Sequence, residues 1–155
     1  DAAAGVSRTV DAHRGAVTGV AVRSIDPRVL ATWSDTAGEP VKIWDMRKLQ
    51  DTPVATKGPP NYPPVGILPA PSGSSVIDVA WSPDNIDFIA TVHTDDPRRV
   101  CLWDVWGPTP RKNLWAWWNY RYTRDPISSI SWQPRGLKPR PLAAKLFASP
   151  CPQGP

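Results

Sequence analysis

The sequence of 155 residues is long enough for one domain with its own hydrophobic core, and 20 prolines and nine tryptophans are its strongest departures from average composition. Proline at this density stops helices and marks turns, so the composition favours short strands. The formal charge is +4, without a clustered basic stripe. Two cysteines without metal-ligand spacing exclude a disulfide framework, and the lack of an apolar stretch of about 20 residues excludes a transmembrane helix. We therefore expect a reducing intracellular compartment.

Three segments recur at one offset of 59 residues, in the same order and without a gap. They are Val17–Val22 with Val76–Trp81, Val29–Thr32 with Phe88–Thr91, and Val41–Asp45 with Val100–Asp104. Each is alternately or continuously apolar, and turn-forming residues separate the segments, which is the pattern of short β-strands. A third copy opens at Ile127–Trp132 and then changes into a sequence rich in proline and lysine. The pattern predicts strands at 17–22, 29–33, 41–44, 76–81, 88–93, 100–103 and 127–132.

Each of the first two repeats ends in Trp-Asp, at Trp44-Asp45 and Trp103-Asp104, as blades of WD40 propellers do. The predicted fold class is all-β: a partial WD40 β-propeller of about two and a half blades of four-stranded antiparallel sheet, over 1–136. Within it, 58–75 is predicted to be a Pro-rich inserted loop and 112–124 an aromatic insert, while 137–155 is predicted to be a disordered tail. Because propellers close with about four to eight blades, we expect the chain to be a piece of a longer protein.

The repeat predicts structural roles for its tryptophans and acidic residues. Resemblance to WD40 repeats implies that an Asp in the turn between the second and third strands accepts a hydrogen bond from a preceding His, here Asp35 from His13. The second blade has Asp95 or Asp96 in that turn, but Ser72 at the position of His13, so its network is expected to be incomplete. The residues expected to be structural are His13, Asp35, Trp44, Asp45, Trp81, Asp95, Trp103, Asp104 and Trp132.

No pattern in the sequence predicts catalysis. Neither His13 nor His93 lies near a nucleophile motif or a partner at metal-binding spacing, and no glycine-rich phosphate loop occurs. We therefore expect no enzymatic activity, no cofactor, no metal site and no small-molecule substrate. The expected partners are other protein subunits of a multiprotein complex.

The segment 112–124 interleaves five aromatic residues with arginines. Such a mixture is typical of interface hot spots, so Trp117, Trp118 and Arg121 are candidate partner contacts. The ordinary interpretation is that the segment forms the outer strand of the second blade, and a third is that it stacks single-stranded bases. In a strand, the adjacent Trp117 and Trp118 would lie on opposite faces.

Longer strings resemble one propeller family. Val41–Leu49, continued by Pro53–Thr56 and then by Val76–Pro83, Phe88–Thr91 and Val100–Asp104, resemble two consecutive blades of the Mios (missing oocyte) family, subunits of the GATOR assembly. The resemblance implies a cytoplasmic, lysosome-associated scaffold with a propeller, a helical solenoid and a C-terminal zinc-binding end, which relays amino-acid sufficiency to the TOR kinase. The family's zinc-ligand motif does not occur in this sequence, so no metal role follows.

Two alternative functions stay open. Trp44-Asp-Met-Arg47 resembles the Trp-Asp-x-Arg box of WD40 substrate receptors of cullin-RING ubiquitin ligases, which implies that Arg47 contacts the ligase adaptor. The second blade reads Trp103-Asp-Val-Trp106 and lacks that arginine. The other alternative is a nucleic-acid-binding propeller that uses the aromatic and basic segment.

Overall fold

A computed structural model of the chain describes residues 10–51, 62–83, 87–105, 116–120, 123–132 and 146–150. Within these ranges the chain forms ten strands and one short helix. All seven strands predicted from the sequence are confirmed, each to within one residue, and so is the all-β class. The elements are β1 (Val17–Val22), β2 (Val29–Ser34), β3 (Val41–Asp45), α1 (Met46–Asp51), β4 (Gly66–Leu68), β5 (Val76–Trp81), β6 (Phe88–His93), β7 (Val100–Asp104), β8 (Ala116–Tyr120), β9 (Ile127–Trp132) and β10 (Leu146–Pro150).

The strands form three antiparallel sheets, each of which is a propeller blade or part of one. The first blade has the order β1-β2-β3-β4, the second has the order β5-β6-β7-β8, and β9 pairs with β10 in the third. In every sheet consecutive strands are neighbours, as short turns between antiparallel strands require. The architecture is therefore a series of meanders packed side by side.

The pairing register repeats together with the sequence. Leu30 of β2 lies opposite Trp44 of β3, and Ile89 of β6 lies opposite Trp103 of β7. A slip of one residue would exchange the two faces of a strand, so register is strongly determined wherever one face is buried. The gapless repeat in sequence is thus also a repeat of register.

Neighbouring blades are joined by apolar cores. One cluster holds Val29, Ala31, Trp33, Val41, Ile43 and Leu68 of the first blade against Val76, Val79, Trp81, Ile89, Cys101 and Trp103 of the second. Another holds Ala90, Val92 and Val100 of the second blade against Ile127 and Ile130 of the third. Alternate residues of β6 therefore serve opposite interfaces, as the two-residue period of a strand dictates.

A repeated hydrogen bond links the inner strands of neighbouring blades. The indole Nε1 of Trp81 donates to the carbonyl oxygen of Ala21 at 3.0 Å, and that of Trp132 donates to Ala80 at 3.1 Å. The guanidinium of Arg23 also lies 4.9 Å from the centre of the Trp81 ring, within the range of a cation–π interaction. Trp81 and Trp132 thus occupy equivalent positions at successive junctions.

The segment 58–75 was expected to be a loop throughout, and this is wrong for Gly66–Leu68, which form β4. Leu68 is 1% exposed and lies opposite Val41. An outer strand needs hydrogen bonds on one side only, so Pro69 immediately after it does no harm. Three residues without proline are enough to complete the blade.

The aromatic insert contains β8, the outer strand of the second blade, in agreement with the ordinary interpretation of 112–124. The prediction of a disordered tail over 137–155 is wrong for Leu146–Pro150, which pair with β9 as β10. Proline is tolerated there because Pro150 ends the strand, beyond a register shift that follows Ser149. Residues 137–145 and 151–155 lie outside the described residues.

Candidate functional site

A four-residue hydrogen-bond network runs through the first blade. The indole Nε1 of Trp44 donates to Thr32 Oγ1 at 2.9 Å, and the same hydroxyl lies 2.9 Å from His13 Nε2. His13 Nδ1 lies 2.8 Å from Glu39 Oε2, while the backbone N–H of Arg14 donates to Glu39 Oε1 at 3.0 Å. Because an indole N–H can only donate, the Thr32 hydroxyl hydrogen is free for His13 Nε2, which leaves Nδ1–H for the carboxylate.

The carboxylate of this network is Glu39, and the expected partner Asp35 is wrong. Asp35 is exposed in the turn after β2, whereas Glu39 is 8% exposed directly before β3. Gly38 lies between them with a φ of 78°, a left-handed conformation that turns the chain back toward His13. The extra methylene of glutamate supplies the remaining reach. In the sequence, Glu39 is the last acidic residue before β3, whereas the expected Asp35 directly follows β2.

Glu39 also determines how the first blade responds to acid. Burial would raise the pKa of its carboxyl, but the bonds from Arg14 N–H and His13 outweigh burial, and the pKa lies below its usual value. A lowered folded-state pKa stabilises the protein above the unfolded value of about 4.3, and this stability is lost as the pH falls through the folded value.

We expect Glu39→Gln to lower the free energy of unfolding at pH 7 by about 1–3 kcal/mol, because the amide presents an N–H₂ group to one of two donors. The acid-dependent loss of stability below pH 4.3, measured by urea denaturation, should also become smaller. Asp35→Asn is the matched control and should change stability by less than about 0.5 kcal/mol, since Asp35 is exposed. Equal effects of the two substitutions would contradict the network.

The second blade builds the same link from a different histidine. The indole Nε1 of Trp103 donates to Thr91 Oγ1 at 2.7 Å, and this hydroxyl lies 2.9 Å from Nε2 of His93, two residues further along β6. Ser74 Oγ donates to Asp95 Oδ1 at 2.9 Å, so Asp95 binds a serine instead of a histidine. The sequence predicts for His93 only a place in the strand 88–93. In the repeat His93 occupies the position of Ser34, and this replacement of a serine by a histidine was the available signal in the sequence.

The two Trp-Asp carboxylates differ in their surroundings. Asp45 forms a bidentate ion pair with Arg47, in which Nε lies 2.8 Å from Oδ1 and Nη2 lies 2.7 Å from Oδ2. Asp45 also accepts the backbone N–H of Arg47 at the start of α1. The bond from Arg47 lowers the pKa of Asp45. Burial, with a contribution from Asp87, raises the pKa of Asp104, and Asp104 Oδ1 has no partner among the described residues.

The candidate contacts of the aromatic insert are placed by backbone register. Trp118 lies opposite Leu102 and Ala116 lies opposite Trp103, with a register shift between the two pairs, so Trp117 lies at an irregular step of β8. Arg121 lies outside the described residues. Arg47 is about half exposed and is separated along the chain from β8 by the whole of the second repeat.

The described residues offer no other constellation with an obvious chemistry. Within them, no group of three or more His, Cys, Asp or Glu side chains is placed to hold a metal ion. No helix among them is long and apolar enough to cross a membrane. Burial raises the pKa of the Cys101 thiol, which keeps it in the less reactive protonated form.

Consecutive four-stranded meanders, joined by apolar cores and by tryptophan hydrogen bonds between inner strands, define this chain as a partial β-propeller. Hsv2p of Kluyveromyces lactis superposes with a TM-score of 0.51 at 20% identity, over 79% of this chain and 37% of that chain. Hsv2 of Kluyveromyces marxianus gives a TM-score of 0.44 at 16% identity, over 62% of this chain and 26% of that chain. The present chain thus spans well under half the length of either structure. No protein-family model and no curated protein matches the sequence.

Proposed function

We propose that this chain is part of a non-catalytic scaffold that binds other proteins, and that it is a Mios-like subunit of the GATOR complex, acting on TOR signalling from the cytoplasm and the lysosomal surface. The Mios-like strings at the two Trp-Asp repeats support the finer assignment. The propeller fold and one exposed apolar face support the coarser one. The exposed face is the observation that carries the proposal.

This face lies on β1 and consists of Val17, Val20 and Val22, which are 47%, 56% and 53% exposed. The equivalent residues of the second blade, Val76, Val79 and Trp81, are 5%, 4% and 7% exposed because the first blade covers them. Exposed apolar surface of this kind marks protein–protein contacts. By analogy with the second blade, we propose a further propeller blade, contributed by the partner, as the occupant of the β1 face, packed as the first blade packs on the second.

The rest of blade one limits where that partner blade binds. Trp44 and Tyr62, 4% and 5% exposed, are already covered by the N-terminal segment and α1 through Val10, Ala12 and Met46. Contact is thus confined to the inner strand. Since Val22 replaces the tryptophan of the other two junctions, this contact rests on apolar packing without the indole hydrogen bond.

Electrostatics favour a protein over a nucleic acid. Arg28 and Arg47 pair with Asp26 and Asp45, and Arg99 pairs with Asp95. Arginines whose charge is balanced by neighbouring carboxylates attract phosphates weakly, whereas nucleic-acid binding depends on free positive charge. We therefore expect apolar contact with a protein to be stronger than electrostatic contact with a nucleic acid.

We expect Val20→Asp to reduce recovery of GATOR subunits with the tagged full-length protein at least tenfold, because an aspartate would be buried without a partner. Ile67→Asp is the matched control: Ile67 is 50% exposed on the outer strand β4, away from the proposed contact. Both variants of the isolated chain should melt like the wild type, since both positions are exposed.

Equal recovery with Val20→Asp would contradict the β1 contact. Recovery of a cullin-RING adaptor in place of GATOR subunits would contradict the Mios-like assignment and favour the role of Arg47 as a receptor residue. Trp117, Trp118 and Arg121 remain proposed as a second partner contact. Their replacement by alanine can be tested in the same recovery assay with the tagged full-length protein.

A further inference from the structure

We propose that His93 makes the junction between the first two blades sensitive to mild acid: protonation of its buried imidazole, which has no carboxylate partner, loosens the second blade. This goes beyond partner binding, because it concerns a switch within the propeller. It rests on the different surroundings of two histidines that make the same bond to a threonine.

The network of His93 lies inside the junction. His93 is 3% exposed, Thr91 is fully buried, and Trp103 belongs to the core cluster shared with the first blade. Strand alternation places Thr91 and His93 on the same face of β6 as Ile89, which belongs to that cluster as well. A change of charge on His93 therefore acts on the inter-blade core.

The two ring nitrogens of His93 have different surroundings. Nε2 shares a hydrogen bond with Thr91 Oγ1, which also accepts the Trp103 N–H, and the direction of this bond depends on the tautomer of the ring. Nδ1 has no partner among the described residues. The protonated ring carries an N–H on both nitrogens, so protonation leaves the Nδ1–H without an acceptor and creates a buried charge.

Among the described residues, no carboxylate forms a hydrogen bond with the His93 ring. Asp95, in the turn after β6, binds Ser74 and Arg99, and β7 contributes Cys101 and Trp103 to the core cluster. The cluster members contributed by β5 and by the first blade are apolar. Burial lowers the pKa of His93; the more distant Asp95 opposes this shift and Arg99 reinforces it.

The contrast with the first blade is direct. His13 Nδ1 lies 2.8 Å from the Glu39 carboxylate, so a protonated His13 forms an ion pair. Buried charges are tolerated when they are paired and are costly when they are not. Glu39 thus supplies in the first blade the carboxylate partner that the His93 ring lacks in the second.

The direction in which stability changes with pH follows from the linkage between proton binding and folding. A folded-state pKa below the unfolded value of about 6.5 means that the unfolded chain binds more protons in this range, so stability is present above about pH 6.5 and is lost as the pH falls. One such group changes the unfolding equilibrium constant by up to about tenfold per pH unit. Between pH 7 and 5 the second blade should therefore open progressively more often.

The test is urea denaturation of the full chain from pH 7.5 to 5 for the wild type, H93Q and H13Q. The unfolding constant of the wild type should rise by up to about tenfold per unit below pH 6.5, H13Q should retain this rise, and H93Q should lose most of it. A flat wild-type profile, or an unchanged rise in H93Q, would overturn the proposal.

A second measurement covers the case in which H93Q does not fold. In the wild type, the ring-proton NMR resonance of His93 should show a neutral imidazole below pH 6.5. Amide exchange in β6 and β7 should accelerate with acid relative to β2 and β3, after correction for intrinsic rates. A His93 that titrates at or above its ordinary value would overturn the switch. None of these measurements needs a partner protein, so the β1 contact can fail independently.

Discussion

Trp103→Ala is expected to lower the free energy of unfolding by about 3–5 kcal/mol, the usual cost of truncating a large buried aromatic side chain. Trp103 is 7% exposed, packs in the core between the first two blades and donates its indole hydrogen to Thr91. Removing the ring leaves a cavity at the junction and a buried threonine without its donor. Urea denaturation of the full chain measures the loss.

Trp103→Phe separates packing from the hydrogen bond. Phenylalanine keeps an aromatic ring but loses the indole N–H and part of the volume, so the expected loss is smaller than for alanine, about 1–3 kcal/mol. Trp44→Ala should also destabilise, since Trp44 is 4% exposed and makes the equivalent bond to Thr32. Wild-type stability of Trp103→Ala would show that the Trp-Asp repeat is not a structural element of this propeller.

Gly19→Ala is expected to cost about 1–3 kcal/mol, although it adds only a methyl group. Gly19 lies opposite Trp33, and a Cβ at that position would overlap the indole, with Cη2 at 2.6 Å and two ring atoms closer still. Trp33 is 7% exposed in the inter-blade core, so the ring cannot move away freely. Close packing makes even one extra carbon unfavourable there.

The second blade shows how the cost can be removed. Its equivalent pair is Asp78 opposite Val92, a larger residue on the inner strand and a smaller one on its neighbour. In a double-mutant cycle, Gly19→Ala should therefore be nearly neutral in a Trp33→Val background. Additive losses in the two backgrounds would contradict a direct clash between positions 19 and 33.

These pairs illustrate how one blade design tolerates different residues. Asp78 uses its carboxylate to accept the backbone N–H of Ile130 at 2.8 Å, a bond to the third blade that glycine at position 19 has no side chain to make. Gly19 instead leaves room for the Trp33 ring, which packs toward the second blade. The repeat thus conserves the register while each junction uses its own side chains.

The sequence alone determined the strands of the first two blades and their repeated order. Alternation of apolar residues is a local property of a strand, and the 59-residue offset repeats it, so β1–β3 and β5–β7 could be predicted from their own residues. Short outer strands carry little such signal: β4 has three residues among prolines, and β8 and β10 depend on the strands beside them.

Only the tertiary structure decided which polar groups meet. Asp35 and Glu39 lie in the same connection, and Glu39 binds His13 because Gly38 turns the chain and the longer side chain reaches the ring. His93 replaces the missing histidine of the second blade from within β6, where the sequence predicted only a strand. Hydrogen bonds form only within about 3 Å, so they depend on the final packing of turns and strands, which no local pattern encodes.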